Sequence, residues 1–167
     1  MRRMSAAQIP AFHLRSRDGS AEERMVLAGI WRRAWTSANR GAATIEPISH
    51  WLRRVQTEFV PPAEVVLAER DGQVLAFMVL LTGREYVAQL FVEPHLRNQG
   101  LGQALLDEAC VRMSDGWRLH VAATNKAAQH FYERYGLVRG ATDRHPTSGR
   151  ERIAYHWSPL RAPWRKR

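Results

Sequence analysis

The spacing of apolar positions in the first third of the chain predicts one strand and two helices. The run at 11–18 suits a short strand, and an amphipathic helix follows it between residues 20 and 35. Ser20, with Glu23 three residues later, has the pattern of a capping box at the start of this helix. Its apolar face is formed by Leu27, Ile30, Trp31 and Ala34.

A second amphipathic helix is predicted to begin near Pro47, because proline is favoured in the first turn of helices. The prolines at 61–62 end this helix. Its apolar positions are Ile48, Trp51, Leu52, Val55 and Phe59. The tryptophans of the two helices are expected to pack between them or to line an apolar substrate site, and they are Trp31, Trp35 and Trp51.

From residue 64 onwards the pattern predicts strands first and then strands alternating with helices. The runs at 64–70 and 73–81 are rich in apolar residues, and Asp71-Gly72 between them is a hairpin signal. The later elements are a strand at 85–92, a helix from Gly100 to the turn at Asp115-Gly116, a strand at 117–123, a helix capped by Asn125 and ended by Gly136, and two strands at 137–141 and 152–157 around the polar loop 142–150. This order predicts an α/β domain with a mixed, mostly antiparallel sheet of about six to seven strands and about four helices.

The composition fits one globular domain over 1–167, with a short basic tail at about 159–167. The chain has 167 residues, of which 45% are hydrophobic and 25% are charged. No apolar run approaches the roughly 20 residues that a transmembrane helix needs, so we expect no membrane partner. The lone cysteine, Cys110, excludes an internal disulfide and indicates a reducing compartment, so we expect cytoplasmic localisation.

The net charge of +9 leaves a nucleic-acid-associated function open, but it suits a small anionic cofactor as well. Basic residues are spread along the chain, and no RNA motif that combines aromatic and basic residues is present. The histidines have no paired ligand spacing, so we expect no metal. Cys110 lies among apolar residues and is expected to be a small buried side chain rather than a nucleophile.

The stretch RNQGLGQALL, residues 97–106, joins a strand to a helix through two glycines. It lacks the lysine and hydroxyl residue of a Walker loop, since Gln103 and Ala104 follow the second glycine. It also lacks the third small residue of a dinucleotide fingerprint, because Leu105 stands there. From spacing alone the stretch is either a phosphate-binding loop at a helix N-terminus or a glycine turn that only begins a packed helix.

The context of this stretch distinguishes the two interpretations. LFVEPHLRNQGLGQALL, followed after one helix and one strand by NKAAQHFYERYGL, resembles the GCN5-related N-acetyltransferase (GNAT) family over residues 88–138. The resemblance implies a GNAT-like fold and acetyl-CoA as cofactor. It also implies an N-acetyltransferase that transfers the acetyl group to a primary amine by direct attack in a ternary complex.

The resemblance also implies which residues bind the cofactor. Tyr132 matches the tyrosine that protonates the departing thiolate, although without the family pattern it would be read as a core aromatic residue. Asn125 matches an asparagine that contacts the cofactor arm. The pyrophosphate is expected on the backbone amides of Arg97, Asn98, Gln99, Gly100, Leu101 and Gly102, and the pantetheine arm alongside Leu90, Phe91 and Val92.

His120 is the candidate general base. It lies five residues before Asn125, where some members of the family that acetylate protein N-termini carry a catalytic glutamate. A neutral histidine can accept a proton at physiological pH, but His120 is also consistent with a polar residue that only lines the cleft. Glu85 and Gln89 are candidate acceptor-binding residues on the preceding strand, whereas Glu93, beside a proline, is expected at the surface.

Two alternatives to an N-acetyltransferase stay open at this stage. One is a non-catalytic acyl-CoA-binding or sensing domain, and the other is the basic nucleic-acid-associated protein. The acceptor, a small-molecule amine or a protein or peptide amine, has no recognisable code in the sequence. A homodimer formed through an exposed edge strand is also left open.

Overall fold

The computed structural model describes residues 11–161 as seven strands and four helices. The strands are β1 (His13–Ser16), β2 (Glu64–Arg70), β3 (Gln73–Leu81), β4 (Tyr86–Val92), β5 (Trp117–Ala122), β6 (Val138–Arg144) and β7 (Glu151–Trp157). The helices are α1 (Ala21–Ala38), α2 (Ile48–Glu58), α3 (Leu101–Arg112) and α4 (Lys126–Tyr135). This order confirms the predicted α/β fold. The N-terminal residues 1–10 and the last part of the predicted basic tail, 162–167, lie outside the described residues.

All seven strands form one sheet in the order β1-β2-β3-β4-β5-β7-β6. Neighbouring strands are antiparallel except for β4 and β5, which are parallel. Strand β6 runs further than the sequence pattern predicts, because part of the polar segment 142–150 pairs with β7. Asp143 lies opposite Arg152 in this pairing, and the two side chains form an ion pair of 2.6 Å.

Helices α1 and α2 pack on one face of the β2–β4 half of the sheet. The tryptophans pack between the two helices, with ring centroids of Trp31 and Trp51 5.3 Å apart and those of Trp35 and Trp51 5.6 Å apart. Trp31 also stacks on Phe59 at the end of α2, at 5.1 Å. Residues Val65, Leu67, Phe77 and Val79 supply the strand side of this core.

Helices α3 and α4 cover the opposite face of the sheet, and their core extends to the last strands. Leu105, Leu106 and Tyr135 from these helices are buried there. The strand side of this second core includes Val66, Met78, Val87, Leu119, Val121, Ile153, Tyr155 and Trp157. Strands β5 and β7 therefore contribute every second residue to the α3/α4 side.

The first turns of α1 and α2 agree only in part with the capping signals read from the sequence. At α1 the hydroxyl of Ser20 accepts a hydrogen bond from the amide of Glu23 at 3.1 Å, which is one half of the predicted capping box. The carboxylate of Glu23 accepts from the amides of Asp18 and Gly19 and not from that of Ser20. At α2, Pro47 is the capping residue before the first turn rather than a residue within it, because its backbone is extended.

Candidate active site

The parallel strands β4 and β5 are paired at one position only. Tyr86 lies opposite Arg118, and the amide of Arg118 donates to the carbonyl of Glu85 at 2.9 Å. Within residues 11–161 no further pair joins β4 to β5, so the strands separate toward their carboxyl ends. We call this opening the β4–β5 gap. Leu90, Phe91 and Val92 pair with β3 on one side and face this gap on the other.

A bulge in β4 interrupts its pairing with β3 near the middle of the strand. Gln89 is opposite Val79 and Val87 is opposite Leu80, so Ala88 has no partner on β3. Bulges bend a strand and redirect its side chains, and they are common beside active sites. Gln89 is half-buried within this irregular part of β4.

Glu85 does not lie in the strand where the sequence pattern predicts it. It follows a single helical turn and has a left-handed backbone with φ of 51°, and its side chain is exposed. Its carbonyl accepts the hydrogen bond from Arg118 that closes the narrow end of the β4–β5 gap. The structure therefore assigns Glu85 a backbone role at the point where the two strands meet.

The glycine stretch forms the N-terminus of α3. Gly100 is the capping residue, with φ of 83°, and no side chain caps this helix. The first intrahelical bond runs from the amide of Ala104 to the carbonyl of Gly100 at 3.0 Å. The amides of Leu101, Gly102 and Gln103 consequently have no partner within the helix, and the first turn carries no acidic residue. This arrangement fits a bound phosphate group.

The two glycines serve different purposes. A Cβ atom at Gly100 would meet nothing within 4 Å, so this glycine is required by its left-handed backbone alone. A Cβ atom at Gly102 would lie 2.9 Å from Cζ of Phe131, so the second glycine allows α3 to pack closely against α4. Gly100 thus leaves open space above the loop, as a pyrophosphate site needs.

The remaining residues of the loop, Arg97, Asn98 and Gln99, are exposed. Arg97 donates from Nη1 to the hydroxyl of Ser37 on α1, at 3.3 Å. Asn98 has a left-handed backbone with φ of 63°, which turns the chain toward Gly100. The loop therefore carries one guanidinium, which contacts α1.

Glu93, which the sequence pattern places at the surface, is buried. Only 9% of it is exposed, because Arg33 of α1 binds its carboxylate with two hydrogen bonds of 2.7 and 2.8 Å. This hydrogen-bonded carboxylate raises the pKa of Arg33 above its usual value. The ion pair joins α1 to the end of β4, directly before the glycine loop. No local pattern could reveal it, since its partners are 60 residues apart.

Asn125 is the N-cap of α4, as its position in the sequence predicts. Its side-chain oxygen accepts from the amide of Ala128 at 3.1 Å. The neighbouring Gln129 is buried and donates from Nε2 to the carbonyls of Ala122 and Ala123, at 3.2 and 3.0 Å. These bonds hold the start of α4 against the end of β5, beside the β4–β5 gap.

Tyr132 points from α4 into the core that α3 and α4 form on the sheet. It is 8% exposed, and its ring centroid lies 5.2 Å from that of Phe131 and 6.3 Å from that of Tyr155. Burial raises the pKa of Tyr132 well above its usual value, so its phenol stays protonated at all physiological pH values. The side chain is thus both a core aromatic residue and a permanent hydrogen-bond donor.

His120 lies on the other face of the sheet from Tyr132 and is joined to a residue that the sequence pattern does not single out. Its Nδ1 lies 2.9 Å from the hydroxyl of Tyr86, the first residue of β4. Burial, followed by the nearby charge of Arg152, lowers the pKa of His120 below its ordinary value. Burial also raises the pKa of Tyr86. The lowered pKa favours the neutral form of His120.

Metal-ligand clusters and membrane-spanning helices are absent from residues 11–161. Between residues 11 and 161 no three histidine, cysteine or acidic side chains come together as metal ligands would. None of the helices there has the length and apolar character that crossing a bilayer requires. Cys110 is half-buried on α3, with Sγ 3.4 Å from the hydroxyl of Tyr135.

Comparison with known proteins links this geometry to one family. Residues 61–138 match the family model described as an acetyltransferase (GNAT) domain. The peptidyl-lysine N-acetyltransferase YjaB of Salmonella typhimurium is 30% identical over 116 residues, which are 70% of this chain and 77% of that protein. The mycothiol acetyltransferase of Streptomyces coelicolor is 32% identical over 125 residues, which are 66% of this chain but 40% of that protein.

Solved structures show the same fold at lower sequence identity. The solution structure of apo YjaB from Escherichia coli has a TM-score of 0.70 and 23% identity, over 88% of this chain and 97% of that chain. The crystal structure of the PaiA N-acetyltransferase of Thermoplasma acidophilum with coenzyme A has a TM-score of 0.66 and 21% identity, over 87% of this chain and 99% of that chain.

Proposed function

Because the chain belongs to the GCN5-related N-acetyltransferase family and is an acetyl-CoA-dependent N-acetyltransferase, we propose that it acetylates a primary amine by direct attack in a ternary complex. His120 acts as the general base and Tyr132 as the hydrogen-bond donor to the leaving group. The observation that carries this proposal is the β4–β5 gap. His120 lies on the β5 side of this gap, and the β4 side leads through the glycine loop to the uncapped N-terminus of α3.

The cofactor-binding residues follow from the loop and the gap. The amides of the stretch 97–102 bind the pyrophosphate, and the charge of Arg97 adds to their field. The backbone of Leu90–Val92 pairs with the amide groups of the pantetheine arm, as a strand edge pairs with an extended peptide. Asn125 contacts the same arm from the start of α4. When bound, acetyl-CoA supplies the acetyl group as a thioester.

The base must take a proton from the attacking amine, and this requires a particular tautomer of His120. A neutral histidine carries one proton, so only one ring nitrogen can accept. In the proposed state Nδ1–H donates to the hydroxyl of Tyr86, and Nε2 keeps a lone pair that faces the acceptor. Tyr86 is thus a positioning residue, comparable to the group that orients the histidine of a catalytic triad.

Tyr132 acts by hydrogen bonding rather than by complete proton transfer. A thiol has a pKa near ~8.5 and a phenol near ~10, so a phenol is already the weaker acid. Burial raises the pKa of Tyr132 further and widens this difference. The hydroxyl therefore stabilises the departing sulfur by a hydrogen bond in the transition state and keeps its own proton, while the coenzyme A thiolate takes a proton from solvent.

The test is release of coenzyme A thiol with a panel of primary amines under steady-state conditions. Release that depends on the amine, with intersecting initial-velocity lines, is the expected result for a ternary complex. Parallel initial-velocity lines in the wild type, together with loss of activity in Cys110→Ala, would instead indicate an acyl-cysteine intermediate and contradict direct attack. Binding of acetyl-CoA without release for any amine would contradict an amine acceptor.

A further inference from the structure

One half of the sheet has a face that no described helix covers. The α1/α2 core includes residues of β2, β3 and β4, and none of β5, β6 or β7 among the residues that the structure describes. Trp117, Leu119 and Val121 of β5 are buried on the α3/α4 side. Because side chains alternate along a strand, Arg118 and His120 project from the other side.

Strand β7 continues this surface. Ile153, Tyr155 and Trp157 point into the α3/α4 core, so the residues between them lie on the same side as His120. Pairing across β5 and β7 places Arg118 opposite His156 and His120 opposite Ala154. We call this surface the open face, and it comprises Tyr86, Arg118, His120, Arg152, Ala154 and His156.

The open face carries positive charge beside the candidate base. Arg152 is bound to Asp143 of β6 by hydrogen bonds of 2.6 and 3.2 Å, so its charge is largely compensated. Arg118 differs, because none of the ion pairs found between residues 11 and 161 includes it. Its guanidinium carbon lies 5.9 Å from the ring centroid of Tyr86, the residue that binds His120.

Arg150 adds a further cation at the edge of this region. It lies in the β6–β7 connection, and its guanidinium carbon is 5.6 Å from the ring centroid of Trp35 on α1. This contact holds the connection against α1. A polycationic acceptor such as a polyamine would be repelled by this surface, whereas an anionic group would be attracted.

The exposed Arg118 is suited to bind a carboxylate. A guanidinium presents several donors in one plane and matches both oxygens of a carboxylate, which a single point charge does not. Residues two apart on one strand face are separated by about 7 Å, so a ligand held by both Arg118 and His120 has its two groups a few bonds apart.

We propose that the acceptor is a primary amine that carries a carboxylate a few bonds from its nitrogen, and that Arg118 binds this carboxylate. This inference rests on the proposed function. The amine then lies at Nε2 of His120, and the carboxylate lies at the guanidinium of Arg118, near the start of β5. Arg118 selects the acceptor and takes no part in the transfer of the acetyl group.

The experiment compares acceptors that differ in this one charge. The full-length chain is assayed with acetyl-CoA and with glycine, 3-aminopropanoate or 4-aminobutanoate, each beside its primary amide, and with spermidine. The ratio of kcat/KM for acid over amide is measured in the wild type and in Arg118→Gln. Because the reactivity of each amine is the same for both proteins, it cancels when the two ratios are compared.

We expect the ratio of acid over amide to fall about tenfold or more in Arg118→Gln, as loss of a charged hydrogen bond implies. Arg118→Lys should restore part of the ratio, and added salt should lower it in the wild type. Arg134→Gln on α4 removes the same charge from the α3/α4 side, and it should leave the ratio as it is.

Three results would overturn the inference and are distinguishable from failure of the proposed function. Equal loss of kcat/KM for acids and amides in Arg118→Gln would show that Arg118 does not recognise a carboxylate. Preference of the wild type for spermidine would contradict an anionic acceptor while leaving the enzyme an amine acetyltransferase. A protein that acetylates other primary amines but none of these acids would also overturn the inference, whereas failure of coenzyme A release with every amine of the wider panel would overturn the proposed function itself.

Discussion

The hydroxyl of Tyr86 lies 2.9 Å from Nδ1 of His120, and this contact joins the first residue of β4 to the strand that separates from it. Tyr86 belongs to the only pairing position of the two strands among residues 11–161, at the narrow end of the β4–β5 gap, and His120 lies two residues beyond its partner Arg118. A hydrogen bond at Nδ1 determines which nitrogen of a neutral histidine is free to accept a proton. In the proposed mechanism Tyr86 therefore positions the candidate base.

Replacement of Tyr86 by phenylalanine should lower kcat about tenfold or more, because His120 loses the partner that holds its tautomer. Nitrogen NMR of His120 should show Nδ1 protonated and Nε2 unprotonated in the wild type, and a mixture in the variant. Tyr155→Phe removes a hydroxyl bound to Glu133 on the α3/α4 side and is the matched control. An unchanged kcat together with an unchanged tautomer in Tyr86→Phe would refute the role of this contact.

The pH dependence of kcat/KM should reflect the lowered pKa of His120. A base acts in its neutral form, and burial moves the pKa of His120 below the ordinary 6.5. Activity should therefore persist as pH falls to that value and decline only at lower pH. His120→Gln should remove this decline and lower the rate at neutral pH, whereas His130→Gln on the exposed side of α4 should change neither. If kcat/KM of His120→Gln declined at the same low pH as that of the wild type, the decline would belong to another group.

Tyr132→Phe should lower kcat about a hundredfold and leave the affinity for acetyl-CoA near its wild-type value. The hydroxyl contributes mainly when charge develops on the departing sulfur, so its loss affects the transition state more than the bound ground state. Steady-state kinetics and direct titration separate the two effects. A thermal melt shows whether the buried ring still packs, and a loss of affinity equal to the loss of kcat would indicate a binding role instead.

Gln103→Glu should weaken acetyl-CoA binding about tenfold without lowering the melting temperature. A carboxylate in the first turn of α3 interacts favourably with the free amides and the helix dipole, so folding is not impaired. The same carboxylate repels a pyrophosphate at that site. Gln103→Ala is the control, since it removes the same amide without adding charge. Equal affinity in both variants would show that the pyrophosphate binds elsewhere.

Substitution of the two glycines is less informative about binding, and the structure explains why. Any side chain at Gly100 strains a backbone with φ of 83°, and one at Gly102 meets Phe131. A loss of affinity in such variants would combine damage to the loop with damage to the α3–α4 packing. The exposed Gln103 avoids both effects, because its side chain is not part of either core.

The element order and the glycine turn at the start of α3 could be predicted from the sequence because both depend on local patterns. Periodic apolar positions decided the helices and strands, and Asp71-Gly72 marked the hairpin between β2 and β3. Gly100 and Asn125 marked the starts of α3 and α4, as the structure has them. The ends of β6 were missed, since its polar residues are held by pairing with β7 and not by burial.

The arrangement around the reacting groups was decided by tertiary structure alone. Tyr86 and His120 are 34 residues apart, and Arg33 and Glu93 are 60 apart, so no local pattern could relate them. The parallel pairing of β4 and β5 at one position brought the first pair together, and the packing of α1 against the end of β4 joined the second and buried Glu93. The sequence by itself determined the family and the glycine loop at the start of α3. Only the fold determined which side chains surround the candidate base, because contacts between distant segments depend on how strands and helices pack.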